Sequence, residues 1–334
     1  MIRPRHLKMA WRFVSHRFRE LHPFEVQASL LNACNLHCVY CRCPEVKTTL
    51  LTTDQWRTII RDLAALGTMR IKFQGGEPTM RPDFRELCAE ARSQGMVTAT
   101  ISNGHFISSR PDLLDHLDEL VVSLDGSSAE VNDRLRGVGT WRPAVQAIDL
   151  ACRRGLRVYI NMVLTRENLG DLENMLAFCR ARGIQLNAQP VIYEGRYYDS
   201  RARPLALDNE EIREVHRRLT QWKKEGHPLM FSPAAYQKPV SWRDHQTVTV
   251  RSDGESTCMA GRSYIHIDPN GDVHPCVSHG ADFTPRNIVR DGLIPALRHV
   301  QHHNCGDCSI VYLNERKLAF GLKPQALLEI VRRG

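Results

Sequence analysis

The amino-acid sequence predicts an α/β fold: a partial (β/α)6 TIM-like barrel, followed by a small C-terminal domain with a β-hairpin and a helix. Short apolar runs alternate with helical segments from Phe24 to about residue 230, and glycines stand where helices must end before the next strand. A repeated strand–helix unit of about 30 residues implies parallel strands joined by right-handed crossovers. The chemistry is therefore expected at the carboxyl ends of the strands.

The predicted elements follow one another in chain order. Apolar runs predict strands over Phe24–Leu31, Met69–Phe73, Val97–Ser102, Leu120–Leu124, Arg157–Val163 and Gln185–Val191. Helices are predicted near Thr53–Leu66, Asp83–Gln94, Asp112–Leu117, Trp141–Arg154 and Gly170–Arg182, with Thr53 as the first N-cap. A helix near Asp208–Lys224 ends the repeat, and Pro228, Pro233 and Pro239 mark a linker.

The segment beyond the linker has a different pattern. Polarity alternates from Tyr264 to His274 around Asn270-Gly271, which is a strong signal for a hairpin, and a helix is predicted near Leu293–His299. We therefore expect a basic amphipathic helix at 1–22, the barrel at 23–230, the small domain at 231–312 and a helical tail at 313–334.

Composition limits the class of protein. The chain has 334 residues, 42% of them hydrophobic, and carries a net charge of +8, which is too modest and dispersed to indicate nucleic-acid binding. We find no apolar run of membrane-spanning length and no signal-peptide core in the first 22 residues, so a cytoplasmic location is expected. The eleven cysteines would then stay reduced and able to hold metal.

The first 22 residues form a basic amphipathic pattern. The apolar positions recur at intervals of four and three, which is one face of a helix: Leu7, Trp11, Val14, Phe18 and Leu21. Such a helix can contact an anionic membrane surface. Packing against the end of the barrel is favoured, because a single apolar stripe is what any docked helix shows.

The chain is organised around Cys34-Asn-Leu-His-Cys38-Val-Tyr-Cys41, directly after the first predicted strand. Three thiolates can ligate three irons of a [4Fe–4S] cluster and leave the fourth iron open. Zinc ligation and plain structural thiols remain alternatives on spacing alone.

The motif resembles the CxxxCxxC signature of the radical S-adenosylmethionine (SAM) superfamily, in which the open iron chelates SAM. Tyr40 matches the aromatic residue of that signature, and Gln74-Gly75-Gly76-Glu77-Pro78, after the second strand, resembles its GGE motif. The resemblance implies that this motif binds the SAM amino group, with Gly75 and Gly76 allowing the ligand to approach the backbone.

Later strand ends are similar to further SAM contacts of the family. These are Asn103, Ser123 and Asp125, Arg136 near the SAM carboxylate, and Val191 near adenine. Turn formation by Asn103-Gly104 and a surface position for Arg136 are the alternatives. Glu194, which follows the sixth strand, is the carboxylate best placed to act as a catalytic base, and the alternative role is that of a solvated loop residue.

A second set of cysteines lies in the C-terminal segment: Cys258, Cys276, Cys305 and Cys308. From the residues alone, zinc and an iron–sulfur cluster are equally compatible with this set. The layout resembles the SPASM/Twitch branch of radical SAM enzymes, in the Twitch form with one auxiliary [4Fe–4S] cluster. Four cysteines would saturate that cluster, which implies electron transfer rather than substrate ligation.

The resemblance implies reductive cleavage of SAM to a 5′-deoxyadenosyl radical, which abstracts hydrogen from a substrate C–H bond. By similarity to Twitch dehydrogenases, we expect oxidation of a hydroxylated small molecule such as a sugar or aminocyclitol. The expected electron donor is a flavodoxin or ferredoxin.

Three alternatives remain open. The chain could modify a ribosomal peptide, although the 33 residues before Cys34 leave little room for a peptide-recognition domain. It could be an epimerase in which a thiol such as Cys43 returns hydrogen. It could also be a zinc-stabilised binding protein. Cys88, Cys152 and Cys179 lie in predicted helices and are interpreted as small buried hydrophobic residues.

Overall fold

The computed structural model describes residues 22–193, 200–245, 247–251, 258–278, 283–324, 326, 327 and 329. The predicted N-terminal amphipathic helix and the candidate base Glu194 lie outside the described residues. The barrel and most of the C-terminal segment lie within them.

Six parallel strands form the barrel wall in chain order: β1 Glu25–Ser29, β2 Arg70–Gln74, β3 Val97–Ser102, β4 Glu119–Ser123, β5 Arg157–Leu164 and β6 Gln185–Pro190. Each matches a predicted strand to within two residues at either end. Neighbours pair in parallel register, for example Val26 with Ile71 and Ile71 with Thr98. The predicted partial barrel is therefore confirmed.

The helices are α1 Thr53–Leu66, α2 Phe84–Ser93, α3 His105–Ser109, α4 Ala129–Arg136, α5 Trp141–Arg153, α6 Leu172–Arg182, α7 Asn209–Lys224, α8 Pro233–Gln237, α9 Leu293–Val300 and α10 Val311–Phe320. Helices of the barrel bury an apolar stripe against the strands, and the core contains fully buried Trp56, Phe73 and Phe84. The sequence analysis missed α3, α4 and α8.

Three local predictions were wrong. The segment predicted as the helix Asp112–Leu117 is a 3-10 turn over Pro111–Leu114, and His116 then adopts a left-handed backbone with φ of 68° that prevents a helix from continuing. Thr52, not Thr53, caps α1, because its side chain accepts a hydrogen bond from the Gln55 N–H and the Gln55 side chain returns to the Thr52 backbone.

The third wrong prediction is the linker marked by prolines, because this segment contains helix α8. Ser232 caps this helix, and Pro233 occupies its first turn, where the missing N–H costs nothing.

The C-terminal segment extends the barrel sheet. Its strands are β7 Thr249–Arg251, β8 Tyr264–Ile267, β9 Asp272–His274, β10 Arg286–Asn287 and β11 Cys305–Cys308. The predicted hairpin is present as β8 and β9, and β8 also pairs in parallel with β1, with Gln27 opposite His266. The sheet order is therefore β10-β9-β8-β1-β2-β3-β4-β5-β6. This pairing covers the edge of β1, which would otherwise expose unpaired backbone groups.

Candidate active site and metal centres

The cysteine motif occupies the loop after β1, at the carboxyl end of the strands. The backbone of the Gly76–Glu77 segment holds this loop on one side: Gly76 N–H donates to Leu31 O at 2.8 Å and Glu77 N–H to Ala33 O at 2.9 Å. On the other side, Val39 N–H donates to Leu135 O of α4 at 3.0 Å. The loop is thus fixed by two strand–helix units that follow it in the chain.

The two glycines of the GGE motif serve this backbone contact. A β-carbon on Gly75 would lie 2.1 Å from Leu31 O, and one on Gly76 would lie 2.1 Å from Ala33 O. Gly75 also has φ of +149°, which favours glycine. The sequence analysis attributed the glycines to a close ligand approach; in the structure, the neighbour that approaches most closely is the cysteine loop itself.

Cys34, Cys38 and Cys41 are partly buried and electrostatically coupled. Burial raises the pKa of the Cys34 thiol and raises the pKa of Cys38 to about 11, and the charge of Cys41 acts in the same direction on both. Polar groups surround the sulfurs: the Arg136 Nη1 lies 3.9 Å from Cys38 Sγ, and the Asn103 Nδ2 lies 3.8 Å from Cys34 Sγ. Donors near the sulfurs are typical of iron–sulfur sites, so the donor set fits a [4Fe–4S] cluster.

Glu77 is buried at the junction of the second and third strand ends. Its Oε1 accepts hydrogen bonds from the Thr79 backbone and hydroxyl and from Ser102 Oγ at 2.8 Å, while its Oε2 accepts from the Asn103 N–H at 2.8 Å. Burial raises its pKa, although these donors oppose that shift. The carboxylate therefore ties the two strand ends together, and its contact with the SAM amino group stays a prediction.

Asn103 connects the third strand end to the cysteine loop. Its Nδ2 donates to Asn35 Oδ1 at 2.9 Å, and its Oδ1 accepts from the His105 N–H at 3.0 Å. The turn that was the alternative role for Asn103 is thus present, and the same side chain also contacts the cysteine loop.

Asp125, Arg136 and Tyr40 form a buried group beside Cys38. The Arg136 Nε lies 2.7 Å from Asp125 Oδ2, and the Arg136 Nη2 donates to Oδ1 at 3.2 Å. The Tyr40 hydroxyl donates to the same carboxylate, and burial raises the pKa of that hydroxyl well above its ordinary value. Arg136 is therefore not a surface arginine. It is paired with Asp125, and its proximity to the SAM carboxylate stays a prediction.

The remaining predicted residues lie around the strand ends. Ser123 ends β4 opposite Asn161 of β5, and Val191 is buried just after β6. The contact of Ser123 with SAM and the position of Val191 near adenine stay predictions.

A cavity of about 330 Å³ opens between the cysteine loop and the C-terminal segment. Its lining includes Tyr40, Cys41 and Gly75 as well as polar strand residues such as Asn161 and Asn187. The C-terminal segment contributes Val277, Ser278, Ile310, Tyr312 and Arg316. Ligand sites in enzymes are usually cavities of this kind, apolar with a few convergent polar groups.

The second cysteine set is brought together as well. Cys258, Cys276, Cys305 and Cys308 are all buried, and three of them pack with Tyr264, Ile310 and Leu313 in one small core. The Cys305 thiol hydrogen-bonds to Cys258, which lowers the pKa of Cys258 to about 6 and raises that of Cys305. Tyr264 Oη lies 3.6 Å from Cys258 Sγ.

His303 fixes the backbone around this set. Its Nε2 lies 2.7 Å from Ala260 O, and its Nδ1 accepts from the Cys305 N–H at 3.2 Å. Four buried thiols on a β-strand, a hairpin end and a loop fit a second cluster. No three His, Cys, Asp or Glu side chains among the described residues converge on a single metal ion; in a cluster, by contrast, each thiolate binds a different iron.

Sequence reasoning missed Lys72, Tyr312 and Arg316, all of which line the cavity. Lys72 carried a signal, since it is a charged residue between two apolar ones, Ile71 and Phe73, at the centre of a barrel strand. No sequence signal identified Tyr312 and Arg316, because they belong to helix α10 near the C-terminal end of the chain. They reach the barrel through contacts with Gln27 and Glu25 of β1. Within the described part of the chain, every helix is too short or too polar to span a membrane.

Comparisons with known proteins agree with this geometry. The family model described as the Radical SAM superfamily matches residues 29–179. The mycofactocin maturase MftC of Mycobacterium tuberculosis is 30% identical over 299 residues, covering 84% of this chain and 74% of the relative. The PqqA peptide cyclase of Ruegeria pomeroyi is 29% identical over 274 residues, covering 79% and 69%.

Solved structures share the fold. Streptococcus suis SuiB bound to S-adenosylmethionine superposes with a TM-score of 0.65 at 19% identity, covering 89% of this chain and 71% of that chain. The anSMEcpe enzyme with bound AdoMet gives a TM-score of 0.63 at 15% identity, covering 92% and 100%. The chain therefore belongs to the radical SAM superfamily, in the SPASM/Twitch branch, whose cofactors are SAM and [4Fe–4S] clusters.

Proposed function

We propose that this radical SAM enzyme modifies a peptide substrate and that Cys34, Cys38 and Cys41 hold the cluster that binds SAM. The observation that carries the proposal is the similarity to peptide-modifying enzymes: a mycofactocin maturase and a PqqA peptide cyclase match most of the chain. A further structural neighbour, SuiB, was solved with its precursor peptide SuiA. These relatives favour the peptide alternative over oxidation of a sugar or aminocyclitol.

When bound, the cluster and SAM supply a 5′-deoxyadenosyl radical that abstracts hydrogen from a C–H bond. The chain's own residues prepare the place where this happens. The Tyr40–Asp125–Arg136 group keeps one guanidinium beside Cys38, and the Glu77 network holds the strand ends that flank the loop. The cavity partly encloses the space beside the cysteine loop, and the bound substrate would have to displace water from it, which suits a reaction that would be quenched by solvent.

The second cysteine set is proposed to hold an auxiliary [4Fe–4S] cluster, which makes two clusters in total. Cys258, Cys276, Cys305 and Cys308 offer four thiols, enough to ligate every iron of a cube, so this cluster would carry electrons rather than bind substrate. Tyr312, which lines the cavity, packs 6.4 Å from the ring of Tyr264, next to Cys258. The side chains of Tyr312 and Tyr264 thus connect the cavity to Cys258.

The test uses anaerobically reconstituted protein with SAM, a reductant and each short peptide encoded beside the gene. The expected result is 5′-deoxyadenosine together with a change in peptide mass, both absent from a Cys41→Ala variant. A panel of aminocyclitols and sugars forms the second arm. Oxidation of one of those compounds, losing two hydrogens per SAM, with every peptide unchanged, would overturn the peptide proposal in favour of a dehydrogenase.

Epimerisation of a peptide residue is a second candidate, and one observation favours it. Cys43 is buried, lies two residues beyond the cluster motif and lines the cavity, which makes it a candidate to return hydrogen to a substrate radical. A peptide whose mass is unchanged in ordinary water but increases by one deuterium in heavy water would identify epimerisation. Loss of that deuterium in a Cys43→Ala variant would assign the hydrogen donor.

A further inference from the structure

Lys72 lies in the interior of the barrel and lines the cavity. It is the third residue of β2, between Ile71 and Phe73, and strand alternation places its side chain on the face opposite to theirs. Gln27 of β1 is its partner in the sheet register. Only 6% of the Lys72 surface is exposed, so its ammonium group faces the cavity rather than bulk solvent.

The carboxylates around Lys72 are already bound by arginines. Arg316 of α10 clasps Glu25 through Nε at 3.1 Å and Nη2 at 2.7 Å, whereas Lys72 Nζ lies 3.6 Å from the same carboxylate. Glu119 is clasped in the same manner by Arg70, whose Nη1 lies 2.6 Å from Oε1. Lys72 and Arg316 thus share the Glu25 carboxylate, and the contact that Lys72 makes is the longer of the two.

The charges near Lys72 do not balance among the described residues. Three cations, Lys72, Arg70 and Arg316, face two carboxylates, Glu25 and Glu119, and Arg157 approaches Glu119 at 2.9 Å as a fourth cation. Burial and the neighbouring arginines lower the pKa of Lys72 to about 8, against the opposing attraction of Glu25. A buried cation that shares its counter-ion with an arginine is costly, and an anion in the cavity would reduce that cost.

The polarity of the other lining residues indicates what kind of molecule would carry such an anion. The cavity lining combines polar strand residues such as Asn161 and Asn187 with a larger apolar surface, to which these side chains contribute: Ile101, Val121, Val163, Val191, Val277 and Ile310. The Tyr312 ring packs beside the two cations, 5.4 Å from Lys72 Nζ and 4.1 Å from Arg316 Cζ. The cavity thus combines two cationic side chains, Lys72 and Arg316, with a largely apolar lining, which suits a carboxylate on an otherwise apolar fragment.

We propose that Lys72, supported by Arg316, binds a carboxylate of the peptide substrate and so sets which part of the peptide reaches the cluster end of the cavity. This inference rests on the proposed peptide-modifying function. A peptide presents the same chemistry in two places, the side chain of Asp or Glu and the C-terminal carboxylate. Both sources satisfy the site, and the experiment separates them.

The experiment measures binding of small probes to the holoenzyme with SAM by saturation-transfer NMR. N-acetyl-L-leucine represents a terminal carboxylate, and N-acetyl-L-glutamic acid α-amide represents a side-chain carboxylate. N-acetyl-L-leucinamide and N-acetyl-L-glutamine α-amide are their neutral counterparts. We expect one carboxylate probe to bind about ten- to a hundredfold more tightly than its neutral counterpart, the range given by a charge-assisted hydrogen bond.

The variants are Lys72→Met, Lys72→Arg and, as the matched control, Lys224→Met at an exposed lysine. Lys72→Met should abolish the preference for the carboxylate, and Lys224→Met should leave it unchanged. Iron content and melting temperature check that each variant is intact. If Lys72→Met does not fold, Lys72→Arg still decides the matter through its pH profile.

The pH profile has a defined sign. In the wild type, carboxylate binding should weaken as the pH rises through about 8, because Lys72 loses its charge there. The charged groups facing it are Glu25, Glu119, Arg70 and Arg316, with the Tyr312 phenol beside them. Lys72→Arg should keep the preference and lose this pH dependence, since arginine stays charged; a purely structural lysine would give no such difference.

Three results would overturn the inference: equal binding of each carboxylate and its neutral counterpart, an unchanged preference in Lys72→Met, or inorganic phosphate binding as tightly as the carboxylates. Failure of the proposed peptide-modifying function gives a result that differs from these three. In that case no peptide is modified, whereas the probes still report whether Lys72 selects a carboxylate.

Discussion

A β-carbon added to Gly76 would lie 2.1 Å from the carbonyl oxygen of Ala33, a distance that no side chain can accept. Ala33 directly precedes the first cysteine of the cluster motif, and the neighbouring Glu77 N–H donates to the same oxygen at 2.9 Å. The second strand end therefore fixes the position of the cysteine loop through backbone contact alone.

Gly76→Ala should consequently displace the cysteine loop. We expect reconstituted protein to retain well under half of the wild-type iron at the first site, because backbone atoms, unlike the end of a side chain, cannot move aside cheaply. Gly170→Ala is the matched control, since no atom lies within 4 Å of the added carbon and its backbone is not left-handed. Equal iron content in both variants would contradict this account.

Asp125→Asn should destabilise the fold. It leaves the buried Arg136 without a counter-charge, and breaking a buried ion pair in this way costs about 3–5 kcal/mol of unfolding free energy. Urea unfolding measures the loss. Glu130→Gln, at an exposed carboxylate paired with Arg134, should cost below about 1 kcal/mol. A similar small cost for both would mean that the Asp125–Arg136 pair contributes little.

Glu25→Gln tests the group of buried charges around Glu25 of β1. Burial works to raise the pKa of Glu25, but Arg316, Lys72 and Arg70 together lower it to about 2. Because this folded-state pKa lies below the ordinary value of 4.5, the contribution of Glu25 to stability is present above about pH 4.5 and is lost as the pH falls toward 2.

We expect Glu25→Gln to cost about 3–5 kcal/mol at neutral pH and clearly less at about pH 3, as measured by urea unfolding of iron-free protein. Glu130→Gln is the control, because both Glu130 and its partner Arg134 are exposed. A cost that is the same at both pH values would contradict the assigned ionisation.

Iron and sulfide content tests the two-cluster proposal. Anaerobically purified protein should contain about eight irons and eight sulfides, and replacing Cys34, Cys38 and Cys41 together by alanine should leave about half. Cys152→Ala, at a half-buried cysteine on α5, is the control and should lose none. Zinc in place of iron, or an unchanged iron content in the triple variant, would defeat the assignment.

Replacing Cys305 and Cys308 tests the role of the proposed second cluster. We expect SAM binding and reductive cleavage to 5′-deoxyadenosine to continue while formation of modified product falls at least tenfold, because the electron left on the substrate has no acceptor. Chromatography of both products measures the ratio. Parallel loss of 5′-deoxyadenosine and product would indicate that the second site supports the fold instead of electron transfer.

The sequence by itself determined the repeating part of this protein. Local patterns, such as the apolar strands, the helix-ending glycines and CxxxCxxC after the first strand, depend on neighbours within a few residues and can be recognised without a fold. They predicted the six barrel strands, the superfamily and the place of the cysteine loop directly after the first strand.

The tertiary structure decided which distant residues meet. The pairing of β8 with β1, the Asp125–Arg136 pair, and Tyr312 and Arg316 at the cavity all join segments far apart in the chain. The charge of Lys72 could be read from the sequence, but its significance could not. It depends on two carboxylates being already occupied by arginines from β2 and α10, which is a property of packing in three dimensions.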